Sequence, residues 1–235
     1  MKQSLSVTLL TAAIALGCSA APCGTGSLAS YVALGSGGCT IGANTLYDFQ
    51  TLSGIAGATP ISSAAVTLSP LGGNYNLGLS AMVNVTANTG TLLETLFTYK
   101  IAGNFYVGDA ITLANSSASL DGAVSGIQNF CAGGTFGSSG VTGCTGTAGS
   151  LLTLSGVQSQ DSTSFRPVTL LSVTDDFTFD SGTAGSASGG TMTNQFTAVP
   201  EPAAFFVTGM GLALAAALRL RSKSADLLRR QGGKS

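Results

Sequence analysis

Alternation between apolar and small polar residues dominates the chain from Val66 onward. In residues 77–85 every odd-numbered position is apolar, and the positions between are mostly Gly, Ser and Asn. Thr178 stands between Phe177 and Phe179 in the same way. A period of two places one face of a β-strand in the interior and the other outward. The pattern therefore predicts strands with one buried face.

Similar short segments, separated by Gly, Asn, Ser or Asp, recur about every 8 to 12 residues. Such spacing is typical of a β-sandwich or jelly roll. We expect an all-β domain over residues 21–198, with an irregular start at 24–59 that contains a short helix near 28–34, and a loop at 181–190. The predicted strands are 65–68, 77–86, 91–101, 110–114, 118–120, 123–129, 150–154, 168–173, 176–180 and 191–197.

Composition excludes several classes of protein. The 235 residues include 33 Gly, only 8% charged residues, no His and no Trp, with a net charge of −1. Histidine-based triads and histidine metal sites are therefore impossible, and a helical bundle would be richer in Glu, Lys, Ala and Leu. The body has only Lys100 and Arg166 as basic residues, so we expect no nucleic-acid partner.

The N-terminus has the three parts of a secretory signal. Lys2 is followed by an apolar segment over residues 5–16 and then by small residues. We predict a signal peptide over residues 1–20, removed by signal peptidase after Ala20. An alternative treats residues 15–18 as a lipobox with Cys18 lipidated, and a second leaves the segment as an uncleaved anchor.

The C-terminus has a second apolar segment. Residues 203–218 contain no charge and would span about 24 Å as a helix. The basic residues that follow would stay in the cytoplasm by the positive-inside rule, which leaves the body outside it. We expect a membrane helix through 203–220 and a cytoplasmic tail at 224–235, with a buried core helix as the alternative. The basic cluster consists of Arg219, Arg221 and Lys223.

The order of these parts resembles a known sorting signal. Val199, Pro200, Glu201 and Pro202 precede the apolar segment and the basic cluster, so residues 199–223 resemble the PEP-CTERM signal. The resemblance implies export, an intermediate anchored in the inner membrane, and processing near the motif by an exosortase. It further implies a periplasmic, cell-surface or extracellular protein associated with biofilm or exopolysaccharide. A plain single-pass anchor is the alternative.

Physical chemistry of the motif agrees with that role, since two prolines one residue apart hold the chain extended, as a protease requires of its substrate.

The body has a second likeness: its segments LASYVALGSGGCTIG and TDDFTFD resemble the small ectodomains that carry such signals. That likeness implies no activity.

The cysteines agree with export. Cleavage after Ala20 removes Cys18 and leaves four, an even number that favours disulfides in an oxidising compartment. Four cysteines allow three connectivities, and pairing between sequence neighbours gives Cys23–Cys39 and Cys131–Cys144. A zinc site is the alternative, but its usual C-x2–4-C spacing is absent.

The only acidic cluster is Asp175, Asp176 and Asp180. With carbonyl groups from a loop these residues would make a calcium site, although no D-x-D-x-D-G loop is present. The alternative is a solvated strand edge that resists aggregation. On a strand, Asp176 and Asp180 point to the same side and Asp175 to the other.

No residue pattern singles out an enzyme. Eight body acids make a glycosidase pair conceivable, but no two of them are marked as a pair. A Ser–Lys hydrolase would depend on Lys100, which we expect in solvent. Phe97, Tyr99 and Phe105 would be either core residues or a sugar-stacking surface.

We therefore expect a non-enzymatic surface or matrix protein without a cofactor. The alternative is a carbohydrate-binding or carbohydrate-active β-sandwich module, which calcium would assist.

Overall fold

The computed structural model describes residues 20–73 and 75–199. The predicted signal peptide up to residue 19, the motif residues Pro200, Glu201 and Pro202, the membrane segment, and the basic cluster of Arg219, Arg221 and Lys223 lie outside the described residues.

The described chain is all-β, as predicted. Its strands are antiparallel except β4, which pairs with β7 in parallel. The strands are β1 Gly26–Ser27, β2 Cys39–Ile41, β3 Asn44–Thr51, β4 Thr59–Pro60, β5 Val66–Gly72, β6 Asn76–Ala87, β7 Leu92–Ala114, β8 Ser117–Ser119, β9 Ala123–Ala132, β10 Thr147–Leu154, β11 Gln160–Asp180 and β12 Ser186–Val199.

These strands form a β-sandwich of two layers. Layer A runs in the order β2, β3, β7, β11, β9 and β10, and it contains residues 92–102 of β7 and 171–180 of β11. Layer B runs in the order β11, β7, β12, β6, β5 and β1, and it contains residues 160–168 of β11 and 105–114 of β7. The long strands β7 and β11 therefore belong to both layers.

The change of layer occurs where the register of the long strands is broken. The pairing of β11 with β7 shifts between Ser164 and Leu170. Opposite this point, Gly103 has φ 145°, and a Cβ there would lie 2.7 Å from the Ala43 carbonyl oxygen. Glycine is thus required for the bend, because another side chain would be strained and would meet the β2–β3 turn.

The inner faces of the two layers pack against each other. A Cβ at Gly190 of layer B would lie 2.7 Å from the Phe177 ring of layer A, which shows how close the layers are. Phe49 stacks on Tyr99 with ring centroids 5.1 Å apart, and Tyr31 meets Phe49 edge-on at 4.9 Å. Burial of these rings supplies much of the hydrophobic stabilisation.

The N-terminal part contains the predicted short helix, α1 Leu28–Val32. Ser27 caps it, since its hydroxyl accepts from the Ser30 N–H at 3.2 Å. The rest of 24–59 is less irregular than predicted, because β2 and β3 lie there. Pairing with β7, which is distant in sequence, stabilises β3.

Two further predictions were wrong in detail. The predicted loop at 181–190 ends at Gly185, because Ser186 begins β12 and pairs with β8. The segments 91–101 and 110–114 are one strand, β7, and 168–173 and 176–180 belong to β11. In β7 the alternation breaks at the bend near Gly103, and in β11 it is interrupted by the buried polar residues Thr174 and Asp175, so each continuous strand reads as two short ones.

Within residues 20–73 and 75–199 no helix has the length and hydropathy that a membrane crossing requires.

Candidate functional site

The two predicted processing points lie at the ends of the hydrogen-bonded domain. The carbonyl of Ala21 accepts from the Thr40 N–H at 2.9 Å, and Pro22 bridges to Thr40. At the other end, Val199 is the last residue of β12 and pairs with Phe105. The Pro-Glu-Pro motif begins at the next residue.

Both disulfides predicted from sequence spacing are present. Cys23–Cys39 ties the N-terminal segment to β2, with Cα atoms 4.9 Å apart. Cys131–Cys144 joins the end of β9 to the Gly-rich loop before β10, with Cα atoms 5.6 Å apart. Disulfides of this kind persist in oxidising compartments, which indicates an extracytoplasmic environment.

The acidic cluster of the sequence is divided by the strand geometry. Asp175 points into the interior and is 1% exposed, Asp176 lies half-buried on the other face of β11, and Asp180 is exposed at the strand end. In the described part of the chain, no three acidic or cysteine side chains gather as metal ligands. The strand-edge alternative is also wrong for Asp175, since β11 there lies between β7 and β9.

Asp175 makes polar contacts across the interior. Its Oδ2 accepts from the Asn194 amide of layer B at 2.6 Å, and that amide also donates to the Tyr99 hydroxyl at 2.8 Å. Burial raises the pKa of Asp175 to about 8, and it raises the pKa of Tyr99 well above its ordinary value.

Two more buried polar residues belong to the same region. Asp109 of layer B is 2% exposed, and Gln128 of layer A is fully buried and is the cross-strand partner of Asp175. Burial raises the pKa of Asp109 strongly, and the nearby Asp175 charge raises it further. The Gln128 amide lies close enough to lower the pKa of Asp109, although no hydrogen bond of ordinary geometry joins the two.

A second carboxyl pair, Glu94 and Asp176, lies on the outer face of layer A. Glu94 is opposite Thr178 in the β7–β11 register, so its side chain is diagonal to Asp176. Burial raises the pKa of both carboxyls, and the Asp176 charge adds to the shift at Glu94. The neutral form of each carboxyl is therefore favoured over what a solvent-exposed acid would show.

The loop after β3 covers this pair. The Ile55 N–H donates to Glu94 Oε2 at 2.7 Å, and a Cβ at Gly54 would collide with the Glu94 carboxyl. Glu94 is only 3% exposed, and the adjoining groove holds about 190 Å³. A glycosidase needs two accessible carboxyls with a sugar between them, so this pair holds a loop and is not arranged for that chemistry.

Lys100 is not free in solvent, contrary to expectation. Its Nζ lies 2.9 Å from Asp48 Oδ2 and 5.9 Å from the centre of the Tyr47 ring. Asp48 has φ 54° at the bulge in β3, which turns its carboxylate toward Lys100. The amine is thus a structural cation.

A polar groove crosses the outer face of layer B. Two adjoining hollows of about 270 and 400 Å³ share Ala110 and Gln195. Exposed Gln195 and Thr197 contribute amide and hydroxyl groups, and Asp161 lies at one end. The arrangement presents hydrogen-bonding groups on a nearly uncharged surface.

Two of the three aromatic residues considered for sugar stacking take core positions instead. Phe97 and Tyr99 are fully buried, and Phe105 is half-buried. Among the aromatic side chains of the described residues, Tyr75 is exposed, with 49% of its surface accessible to solvent.

Sequence patterns missed Glu94, Asp109, Gln128 and Asn194. Asp109, Gln128 and Asn194 are single polar residues on inward faces that are otherwise apolar, and that interruption of the alternation is the signal that would have found them. Glu94 lies on a mixed face with Thr98 and Lys100, so no local pattern marks it.

No protein-family model matches the chain, and no curated protein is significantly similar to it. Among solved structures, TmCBM61 in complex with β-1,4-galactotriose is 9% identical, with a TM-score of 0.28 over 58% of this chain and 83% of that one. The glycosylation associate protein (Gap123) complex from Streptococcus agalactiae is 13% identical, with a TM-score of 0.26 over 68% of this chain and 27% of that one. At these values neither likeness bears on function.

Proposed function

We propose that the chain is a non-enzymatic, exported surface or matrix protein whose β-sandwich is released from the inner membrane by an exosortase. The PEP-CTERM resemblance of residues 199–223 is the basis of this proposal. The proposal also includes two finer expectations, which are a jelly-roll-like connectivity and a flanking membrane helix. Exopolysaccharide is the matrix partner that we expect.

The observation that carries the proposal is the position of the two predicted cuts. Cleavage after Ala20 leaves Ala21, which is the first residue tied to the sheet, and cleavage at the motif follows the last paired residue, Val199. Both cuts would therefore leave every described strand intact. A motif inside a strand would instead require unfolding before a protease could bind it.

The disulfides add independent support. Cys23–Cys39 begins two residues after Ala21, so the bond ties the new N-terminus to β2. A domain that is to persist outside the cell gains resistance to unfolding from such bonds.

Mass spectrometry of the protein's termini tests the proposal. We expect an N-terminus at Ala21 in the cell envelope and in the shed matrix, and a C-terminus between Val199 and Pro202 in the matrix. The Glu201→Ala, Pro202→Ala double variant should stay full-length in the membrane, whereas Asp226→Asn in the tail should be processed normally. An intact Ser235 in every fraction would overturn the proposal.

The groove across layer B favours a second candidate, carbohydrate binding. Sugar hydroxyls pair with amide and hydroxyl groups, and Gln195 and Thr197 offer both. Retarded migration in gels that contain the host's exopolysaccharide would support it, with Gln195→Ala abolishing the retardation. Asn84→Ala, an exposed amide on the same face outside the groove, is the matched control. Equal migration of wild type and Gln195→Ala would reject the groove.

A further inference from the structure

Four polar side chains lie together between the layers. Layer A contributes Gln128 and Asp175, and layer B contributes Asp109 and Asn194. None is more than 2% exposed. We name these four residues the interior cluster.

The interior cluster contains more hydrogen-bond acceptors than donors. With both carboxyls ionised, the two carboxylates and the two amides supply six oxygen atoms, whereas the amides supply four N–H groups. Five of these oxygens are buried without a hydrogen-bond partner: both carboxyl oxygens of Asp109, Gln128 Oε1, Asp175 Oδ1 and Asn194 Oδ1. Buried oxygens normally have partners. Gln128 Nε2 is also buried without a partner, but its two N–H groups cannot serve five oxygens, so a partner from outside the cluster is needed.

Protein cations do not supply that partner. The basic side chains of the described chain are Lys100 and Arg166. Lys100 pairs with Asp48 on another part of layer A, and Arg166 is exposed. Two carboxyls buried without a counter-charge are costly to ionise, so they are neutral acids unless a cation from outside the chain pairs with them.

Oxygen donors of this kind suit a hard cation. Calcium accepts carboxylate and amide oxygens in irregular arrangements, whereas magnesium demands a strict octahedron and retains several waters. A divalent ion would also balance the two carboxylates. We propose that Asp109, Gln128, Asp175 and Asn194 bind a calcium ion between the layers and thereby join them.

This site differs from the one expected from sequence. Asp176 and Asp180 belong to the other face and to the strand end, so only Asp175 is shared. The ion would be bound by four strands, β7, β9, β11 and β12, that sequence separates widely. Because the site is buried, binding accompanies closure of the two layers and stabilises the folded state.

Metal content and thermal unfolding of the protein purified from its host test the proposal. After dialysis against metal-free buffer we expect one calcium per chain. We also expect an unfolding midpoint several degrees higher in CaCl₂ than in EGTA, with MgCl₂ giving little of that shift. No bound calcium, together with equal midpoints in CaCl₂ and EGTA, would overturn the site, as would an equal shift with MgCl₂.

Variants locate the ion. The Asp109→Asn, Asp175→Asn double variant should lose the calcium and the shift, whereas Asp180→Asn, exposed on the same strand β11, should retain both. Retention of both by the double variant would overturn the site.

Terbium luminescence keeps the test decisive if the double variant fails to fold. Terbium replaces calcium at oxygen sites, and without Trp its sensitised emission depends chiefly on tyrosine. The Tyr99 hydroxyl accepts a hydrogen bond from the Asn194 amide, so its ring adjoins the proposed site and would transfer excitation energy to the ion. Tyr99→Phe should remove most of the emission while calcium is still bound, and Tyr75→Phe should leave the emission unchanged. Undiminished emission from Tyr99→Phe would place the ion elsewhere.

Discussion

Two buried polar groups in the same sandwich differ in whether their hydrogen bonds are complete. In the first, Asn44 Oδ1 accepts from the Tyr106 hydroxyl at 2.6 Å and from the Asn104 N–H at 3.1 Å, while its amide donates to the Ile41 carbonyl at 3.2 Å. In the second, the interior cluster, five oxygens have no donor.

The difference lies in the charge and the balance of the groups. The Asn44 group holds no carboxyl, so donors and acceptors match and the neutral network closes by itself. The interior cluster holds two carboxyls, which when ionised add acceptors without adding donors. The Asn44 group, whose hydrogen bonds are complete, stabilises a bend of the sheet. The interior cluster, whose carboxyl and amide oxygens lack donors, is suited to a cation.

The largest effect is expected from opening the closed group. Asn44→Ala removes the acceptor of the buried Tyr106 hydroxyl, and we expect a loss of about 3 to 5 kcal/mol of unfolding free energy, with or without calcium. Urea unfolding followed by tyrosine fluorescence measures it. Thr45→Ala, a half-buried neighbour on the other face, is the control with a small effect. A calcium-dependent loss in Asn44→Ala would contradict the distinction between the two groups.

The second-largest effect is expected from a change that lies outside both polar groups. The Cys131→Ser, Cys144→Ser double variant opens the loop before β10 and should lose about 3 kcal/mol of unfolding free energy. The calcium-induced shift of the unfolding midpoint should be unchanged, because the ligands remain. The Cys23→Ser, Cys39→Ser variant is the matched control, with a loop of similar length. Disappearance of the shift in the first variant alone would show that the loop contributes to the ion site.

A smaller effect is expected from removing one amide of the interior cluster. Gln128→Met replaces an amide without ordinary hydrogen bonds by an apolar side chain of similar length. In EGTA its unfolding free energy should lie within about 1 kcal/mol of wild type, because no strong bond is lost. In CaCl₂ the variant should be less stable than wild type, since a ligand is missing. A large loss in EGTA would mean that the amide is already satisfied.

The smallest effect concerns an exposed carboxylate with complete hydrogen bonds. Asp121 accepts from the Thr183 hydroxyl and N–H, both at 2.7 Å, and from the Ala184 N–H at 3.1 Å. These bonds, the Thr183 hydroxyl first, lower the pKa of Asp121 to about 2. This exposed carboxyl with three donors thus shows the opposite pKa shift from Asp109 and Asp175, whose pKa values are raised chiefly by burial.

For Asp121, the stabilisation of the loop is present above the ordinary Asp pKa and is lost as pH falls through about 2. Asp121→Asn should lower the hydrogen-exchange protection of the Thr183 and Ala184 amides at neutral pH, while Asp161→Asn should not. Unchanged protection in Asp121→Asn would show that the turn holds without this carboxylate.

Local patterns predicted much of the fold but little of the interior chemistry. The alternation at 77–85 and around Phe177 lies within single strands, so the sequence alone indicates which residues are inward. The cysteine pairs are separated by 16 and 13 residues, short enough for spacing to predict them. In contrast, Glu94 meets Asp176 only through the β7–β11 register, which depends on contacts distant in sequence.

The sequence by itself determined the all-β class, the pairing of neighbouring cysteines and the placement of Asp175 on the opposite face from Asp176, because each depends on a period of two or on short spacing. Tertiary structure alone decided that β7 and β11 bend between the layers, that Asp176 joins Glu94, and that Asp175 faces Asp109, Gln128 and Asn194. Those outcomes require strand register and layer packing, which arise from contacts between segments that the linear pattern does not relate.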